Sequence, residues 1–144
     1  MDKLLQYYNN NSIPYISVEA LRMLQIQDTV VILDTREPNE FQVSHIASAK
    51  NIGFNTFSLE TKALQKLNKN TPIIVYCSLG IRSEKIGEKL KKAGFTNIKN
   101  LYGGIFEWKN KNYAVIDSTG IKTENIHAFS KMWSKYLRAG NPVY

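Results

Sequence analysis

Short unbroken apolar runs alternate along this chain with segments in which apolar residues return every three or four positions. Val30-Val-Ile-Leu33 and Ile73-Ile-Val-Tyr76 are continuous and bounded by polar residues, the pattern of strands buried on both faces. Ile98 to Tyr102 predicts a further strand, and Asn51 to Phe54 ends a short strand or turn. Between these runs the period is helical. Ser17 is placed to cap a helix reaching about Gln25, with Ile16 and Leu21 as a hydrophobic staple and Val18, Leu21 and Leu24 on one face. Pro38 starts a short helix through Phe41, and Leu59, Ala63, Leu64 and Leu67 suit an amphipathic helix from about Ser58 to Asn68. Ser83 to Ala93 reads as a helix with Ile86, Leu90 and Ala93 inward, stopped by Gly94; Gly103-Gly104 turns into a helix carrying Phe106 and Trp108 as core. Strand and helix alternate without internal repeats, which predicts an α/β fold with a mostly parallel central sheet, helices on both faces and ligands at the carboxyl ends of the strands.

The two ends depart from this rhythm. Residues 1–15 are polar and Asn-rich and read as a loosely ordered segment, leaving residues 16–116 as the domain. Residues 117–144 form an appended helical extension: Asp117 to Gly120 is a turn, Thr123 an N-cap, and Ile126, Phe129, Trp133, Tyr136 and Leu137 share one helix face ending near Gly140. A face so aromatic must be covered, by the same chain in a monomer or by a second copy in a homodimer. His127 on this helix reads as an edge residue.

Composition narrows the function classes. At 144 residues and 43% hydrophobic, the chain fits one domain with a real core. It shows no signal-peptide pattern and no membrane-spanning run, so the expected compartment is the cytoplasm and no membrane partner is expected. The single cysteine cannot form an internal disulfide, and with two distant histidines it gives no zinc spacing. The net charge of +7 includes Lys85, Lys89, Lys91, Lys92, Lys99, Lys109 and Lys111. These read first as a solvated face and next as a device for concentrating small anions; no nucleic-acid-binding motif accompanies them, so no specific nucleic acid is expected.

The candidate chemistry lies where Ile73-Ile-Val-Tyr76 gives way to Cys77-Ser-Leu-Gly80-Ile-Arg82-Ser83. A cysteine at a strand end, facing loop amides and the positive end of the next helix, is favoured as the anion, so Cys77 is the candidate nucleophile. Gly80 frees the loop to turn its N–H groups toward one point, and Arg82 adds a positive charge. Asp34, Arg36 and Glu40 are candidates for a buried charge network at the start of the helix at Pro38.

Cys77-x-x-Gly80-x-Arg82-Ser83 resembles the active-site loop of single-domain rhodaneses. Asp34-Thr-Arg36-Glu-Pro-Asn-Glu40-Phe41, followed by His45-Ile46 and Ala49-x-Asn51-Ile52, resembles that family's first signature, and Leu101-Tyr-Gly103-Gly104-Ile-Phe-Glu-Trp108 its closing segment. The resemblance runs from about Ile16 to Lys109. It implies a sulfurtransferase that moves a sulfane sulfur from a small thiosulfate-like anion, through a Cys77 persulfide, to a thiophilic acceptor such as cyanide, a thiol or a carrier protein. No cofactor or metal is implied. Ser78, Leu79, Gly80, Ile81, Arg82 and Ser83 would bind the donor with their amides, with Arg36 near the sulfur, and His45 would be structural. Ser44 and Ala47-Ser48-Ala49 replace the glycines expected around His45, and Ser78 replaces a basic residue common after the nucleophile. Two other readings use the same fold: a phosphatase or arsenate reductase with a Cys-to-Arg anion loop, and a persulfide-carrying or protein-binding module.

Overall fold

Side chains along the strand β4 (Ile73–Tyr76) alternate between two cores, and the rest of the molecule is arranged about that alternation. Ile74 and Tyr76 join a cluster with Leu21, Leu101, Phe106 and Trp108, whereas Ile73 and Val75 join Leu33, Ile86, Leu90 and Phe95. The structure, a computed structural model, describes residues 1–144. Five parallel strands stand in the order β1 (Tyr15–Ile16), β5 (Ile98–Leu101), β4, β2 (Val31–Asp34) and β3 (Lys50–Asn51). Register pairs Asp34 with Tyr76 and Val75 with Asn100, bringing the exits of β2, β4 and β5 to one edge. Helices α2 (Val18–Gln27), α3 (Pro38–Val43), α5 (Ile81–Lys92) and α6 (Gly104–Asn110) fall where the sequence places them. Ser17 caps α2 by accepting the Ala20 N–H at 3.1 Å. Gly104 sits so close to the site loop that a side chain there would run into the carbonyls of Cys77 and Ser78.

Three local expectations are corrected. Helix α4 is one turn, Lys62–Gln65, because Ser58 and Thr61 spend their side chains on a turn instead: Ser58 Oγ accepts from the Glu60 amide and Thr61 Oγ1 donates to the Ser58 carbonyl at 2.6 Å. The N-terminal segment is a helix, α1 (Asp2–Tyr8), held by isolated apolar anchors, Leu5 and then Ile13, each 2% exposed. The long helix expected over Thr123–Leu137 is absent. Instead β6 (Val115–Ile116) pairs antiparallel with β7 (Lys122–Thr123), and β8 (Asn125–His127) pairs parallel with β9 (Asn141–Val143). The local period is two: Ile126 and Ala128 enter the core and His127 turns toward α3, against which β8 packs. Phe129 then takes a left-handed φ of 67°, which ends the strand, and Ser130 caps the short helix α7 (Lys131–Ser134). The C-terminal segment is therefore built into the main core. No helix is long and apolar enough to cross a membrane.

Candidate active site

Cys77 follows β4 directly and its side chain is fully buried. The Gly80 N–H donates to its Sγ at 3.1 Å, and Ser83 Oγ lies 3.5 Å away on the first turn of α5. Gly80 makes this geometry available with a φ of 124°, a conformation that residues with a Cβ rarely adopt. Its carbonyl is fixed from two sides: Asn100 Nδ2 on β5 and Asn9 Nδ2, just past α1, each donate to it at 2.9 Å. Asn9 also donates to the Tyr15 hydroxyl at 2.8 Å, and Leu5 packs beside Gly80. Asn100 Oδ1 accepts from Ser83 Oγ at 2.6 Å. Leu79 joins the core cluster that holds Leu101 and Phe106, and Ile81 is buried too, while Gly80 supplies the amide bonded to sulfur.

Arg82 braces the loop from below. Its two terminal nitrogens meet the Glu40 carboxylate at 2.7 and 2.9 Å, and one also donates to Ser78 Oγ at 3.0 Å. Burial works against both charges. Pairing overcomes it, holding the Glu40 carboxyl below its ordinary range and raising Arg82. Glu40 also accepts from the Glu37 amide at 2.9 Å, so one carboxylate closes the start of α3 and anchors α5. The Phe129 ring covers the Arg82 guanidinium at 4.5 Å. His127 Nδ1 lies 3.9 Å from Glu40 but accepts the Phe129 N–H at 3.1 Å. Burial, with Arg36 and Arg82 nearby, lowers the His127 pKa despite Glu40, so the imidazole is neutral near pH 7 and this contact is no ion pair.

The expected Asp34–Arg36–Glu40 network is split in two. Arg36 is wholly buried, forked onto Asp34 at 2.7 and 3.0 Å and donating to the Ser44 carbonyl at 2.7 Å. With its fork taken up by Asp34, Arg36 makes no hydrogen bond to the site loop, and Glu40 turns to Arg82 instead. The remaining Arg36 nitrogen, Nη1, has no partner, nor has Ser44 Oγ. His45 stacks on Phe41 and its Nδ1 lies 3.0 Å from the Phe41 carbonyl. Trp108 is core, its indole N–H given to Ala114. No group of three or more His, Cys, Asp or Glu side chains is placed to hold a metal ion. Cys77 lines none of the surface cavities; the largest, about 620 Å³, lies apart between Arg22, Ser48, Tyr113 and Lys122. Asn9, Asn100 and Phe129 are the site residues that sequence reasoning missed. Asn100 carried a signal, a lone amide in a buried strand; Asn9 carried none.

The family model described as the Rhodanese-like domain matches residues 17–111. The chain belongs to the rhodanese-like family. Among rhodanese-like relatives it is 30% identical over 92 residues to the thiosulfate sulfurtransferase GlpE of Coxiella burnetii, covering 64% of this chain and 82% of that one. It is 34% identical over 104 residues to the "Putative sulfur carrier protein YrkF" of Bacillus subtilis, which is 72% of this chain but spans only 55% of that relative's length. The crystal structure of a rhodanese-related protein from Thermoplasma volcanium superimposes with a TM-score of 0.61 at 30% identity, covering 72% of this chain and 97% of the other. Asn9 and Phe129, which grip the loop from either side, lie outside the family match.

Proposed function

We propose that the chain is a sulfurtransferase working by double displacement at Cys77. The thiolate attacks the outer sulfur of a thiosulfate-like donor; the Cys77 S–S bond forms as the donor S–S bond breaks, and sulfite leaves with the electron pair. A thiophilic acceptor then attacks the outer sulfur of Cys77–S–S⁻ and the thiolate returns. The single observation that carries this reading is the Gly80 N–H held on Sγ at 3.1 Å, in a loop that Arg82 and Glu40 close. A preorganised donor of this kind stabilises a sulfur anion. Only Ser78, Leu79, Gly80 and Ile81 separate Cys77 from Arg82, a loop tight enough to suit a persulfide better than a tetrahedral oxyanion on sulfur. In this reading the loop residues Ser78 to Ser83 bind the donor anion around the sulfur. The relatives named for thiosulfate sulfur transfer and sulfur carriage support the same class of chemistry.

The test is intact-mass spectrometry after incubation with thiosulfate. The parent gains one sulfur, about 32 Da, that cyanide removes and that Cys77→Ser never acquires. A parent that gains no mass while Cys77 still alkylates would overturn the proposal.

A further inference from the structure

Ser83 and Asn100 are both fully buried, and between them they have one hydroxyl proton to place near the sulfur. The Asn100 amide cannot turn over, because its Nδ2 is committed to the Gly80 carbonyl at 2.9 Å. Its Oδ1 therefore faces Ser83 and takes that proton at 2.6 Å. A serine hydroxyl has a single proton, so what Ser83 presents to Sγ at 3.5 Å is a lone pair. This arrangement suits a thiol, whose S–H can donate to Ser83 Oγ. It does not suit a sulfur anion, which has no proton to give.

We propose that Asn100 is a positioning residue that sets the direction of the hydrogen-bond chain Cys77–Ser83–Asn100. It holds the Ser83 proton away from sulfur whenever sulfur is a thiol and competes with the sulfur anion for it. When Cys77 loses its proton to solvent, the Ser83 O–H swings from Oδ1 to Sγ. No covalent bond of Ser83 changes, and Asn100 Oδ1 is left without a donor. The Gly80 N–H stays on sulfur in both states, with the Gly80 carbonyl, on the peptide that follows, held by the same Asn100 side chain and by Asn9. The part this plays in turnover rests on the sulfur-transfer reading; the proton arrangement does not.

The test needs no sulfur donor. Cys77 is the only cysteine and its sulfur is buried, so its alkylation by iodoacetamide, at a pH where the thiol predominates, follows both the thiolate fraction and the opening of the loop, which the Ser83→Ala background separates. Asn100→Leu frees the Ser83 proton for sulfur. In the parent the swing of the Ser83 O–H breaks the Ser83–Asn100 hydrogen bond; the variant has none to break, and sparing one hydrogen bond, about 1.4 kcal/mol, is about tenfold in thiolate. Nucleophilicity falls as the anion is stabilised, with a Brønsted slope of about 0.4 to 0.5, so the rate should rise about three- to fourfold. In a Ser83→Ala background Asn100→Leu should give no rise. An equal rise in both backgrounds means a loosened loop and overturns the proposal, as does no rise in a folded Asn100→Leu. Should that variant not fold, the parent decides: the Asn100 side-chain ¹⁵N resonance should move as thiolate absorbance develops, and should stay still in Cys77→Ser. A resonance that ignores thiol ionisation overturns the proposal. A protein that passes these tests yet gains no mass from thiosulfate would sink the sulfur-transfer reading alone.

Discussion

Glu40→Gln keeps the shape of a buried side chain and removes its charge. In the native protein the Glu40 and Arg82 side chains are 3% and 8% exposed, so the glutamine leaves a guanidinium stranded away from water. Breaking a buried pair from one side costs about 3 to 5 kcal/mol. The lower end applies here, because Arg82 keeps its bond to Ser78 and its place against the Phe129 ring. With a urea slope of about 1.5 to 2 kcal/mol per molar, a loss of about 3 kcal/mol lowers the unfolding midpoint by about 1.5 to 2 M. Its pH dependence has a definite sign. Glu40 is held below its ordinary value of 4.5, so the pair's contribution is fully present above that value and is lost as pH falls through the lowered native one. The gap between parent and variant should be widest near pH 7 and shrink below about pH 4. It should persist in high salt, since buried charges are weakly screened. A variant within 0.5 M of the parent at pH 7, or a gap that is unchanged in acid, would refute the assignment of the brace to this ion pair.

Cys77→Ser should lose all sulfur transfer while keeping parental circular dichroism and urea midpoint, because no second thiol exists to take over. Gly80→Ala places a Cβ at a φ of 124° and should cost more than about 1 kcal/mol while lowering the yield of thiosulfate-dependent mass gain. Leu5→Ala should destabilise by about 2 to 4 kcal/mol and speed Cys77 alkylation, by loosening α1 from Gly80; unchanged alkylation would show that α1 does not hold the loop.

What the sequence disclosed follows from the range over which each signal acts. Continuous apolar runs at Val31–Leu33 and Ile73–Tyr76 are local facts and become β2 and β4; Ser17 caps α2 for the same reason. The Cys77-to-Arg82 loop was legible because its parts are neighbours in the chain. Glu40 and Arg82 stand 42 positions apart, and Asn9 and Gly80 stand 71 apart, so nothing local pairs them. Glu40 was assigned to Arg36 because both lie in one short stretch, whereas the fold gives each a different partner. In the C-terminal segment Ile126, Phe129, Trp133 and Leu137 satisfy a helical period by coincidence. Burial of Ile126 and Ala128 on one side of a strand outweighs that period, as tertiary packing commonly does.

Because Asn9 and Phe129 both bear on the loop, the shelter around Cys77 is completed only when segments far apart in the chain have docked. Parallel pairing and such distant contacts form slowly. During synthesis residues 125–129 follow the cysteine off the ribosome, so its shelter is incomplete through that interval. The hazard is kinetic: before the fold encloses it, an oxidant can take the thiol to a sulfenic acid, which the thiol of a second unfolded chain can condense with to a disulfide, releasing water. Refolding yield should therefore fall with oxidant, the more so at high protein concentration, and Cys77→Ser should refold without that penalty. The thiol that the finished molecule shields fully is one that the unfolded chain leaves open to damage.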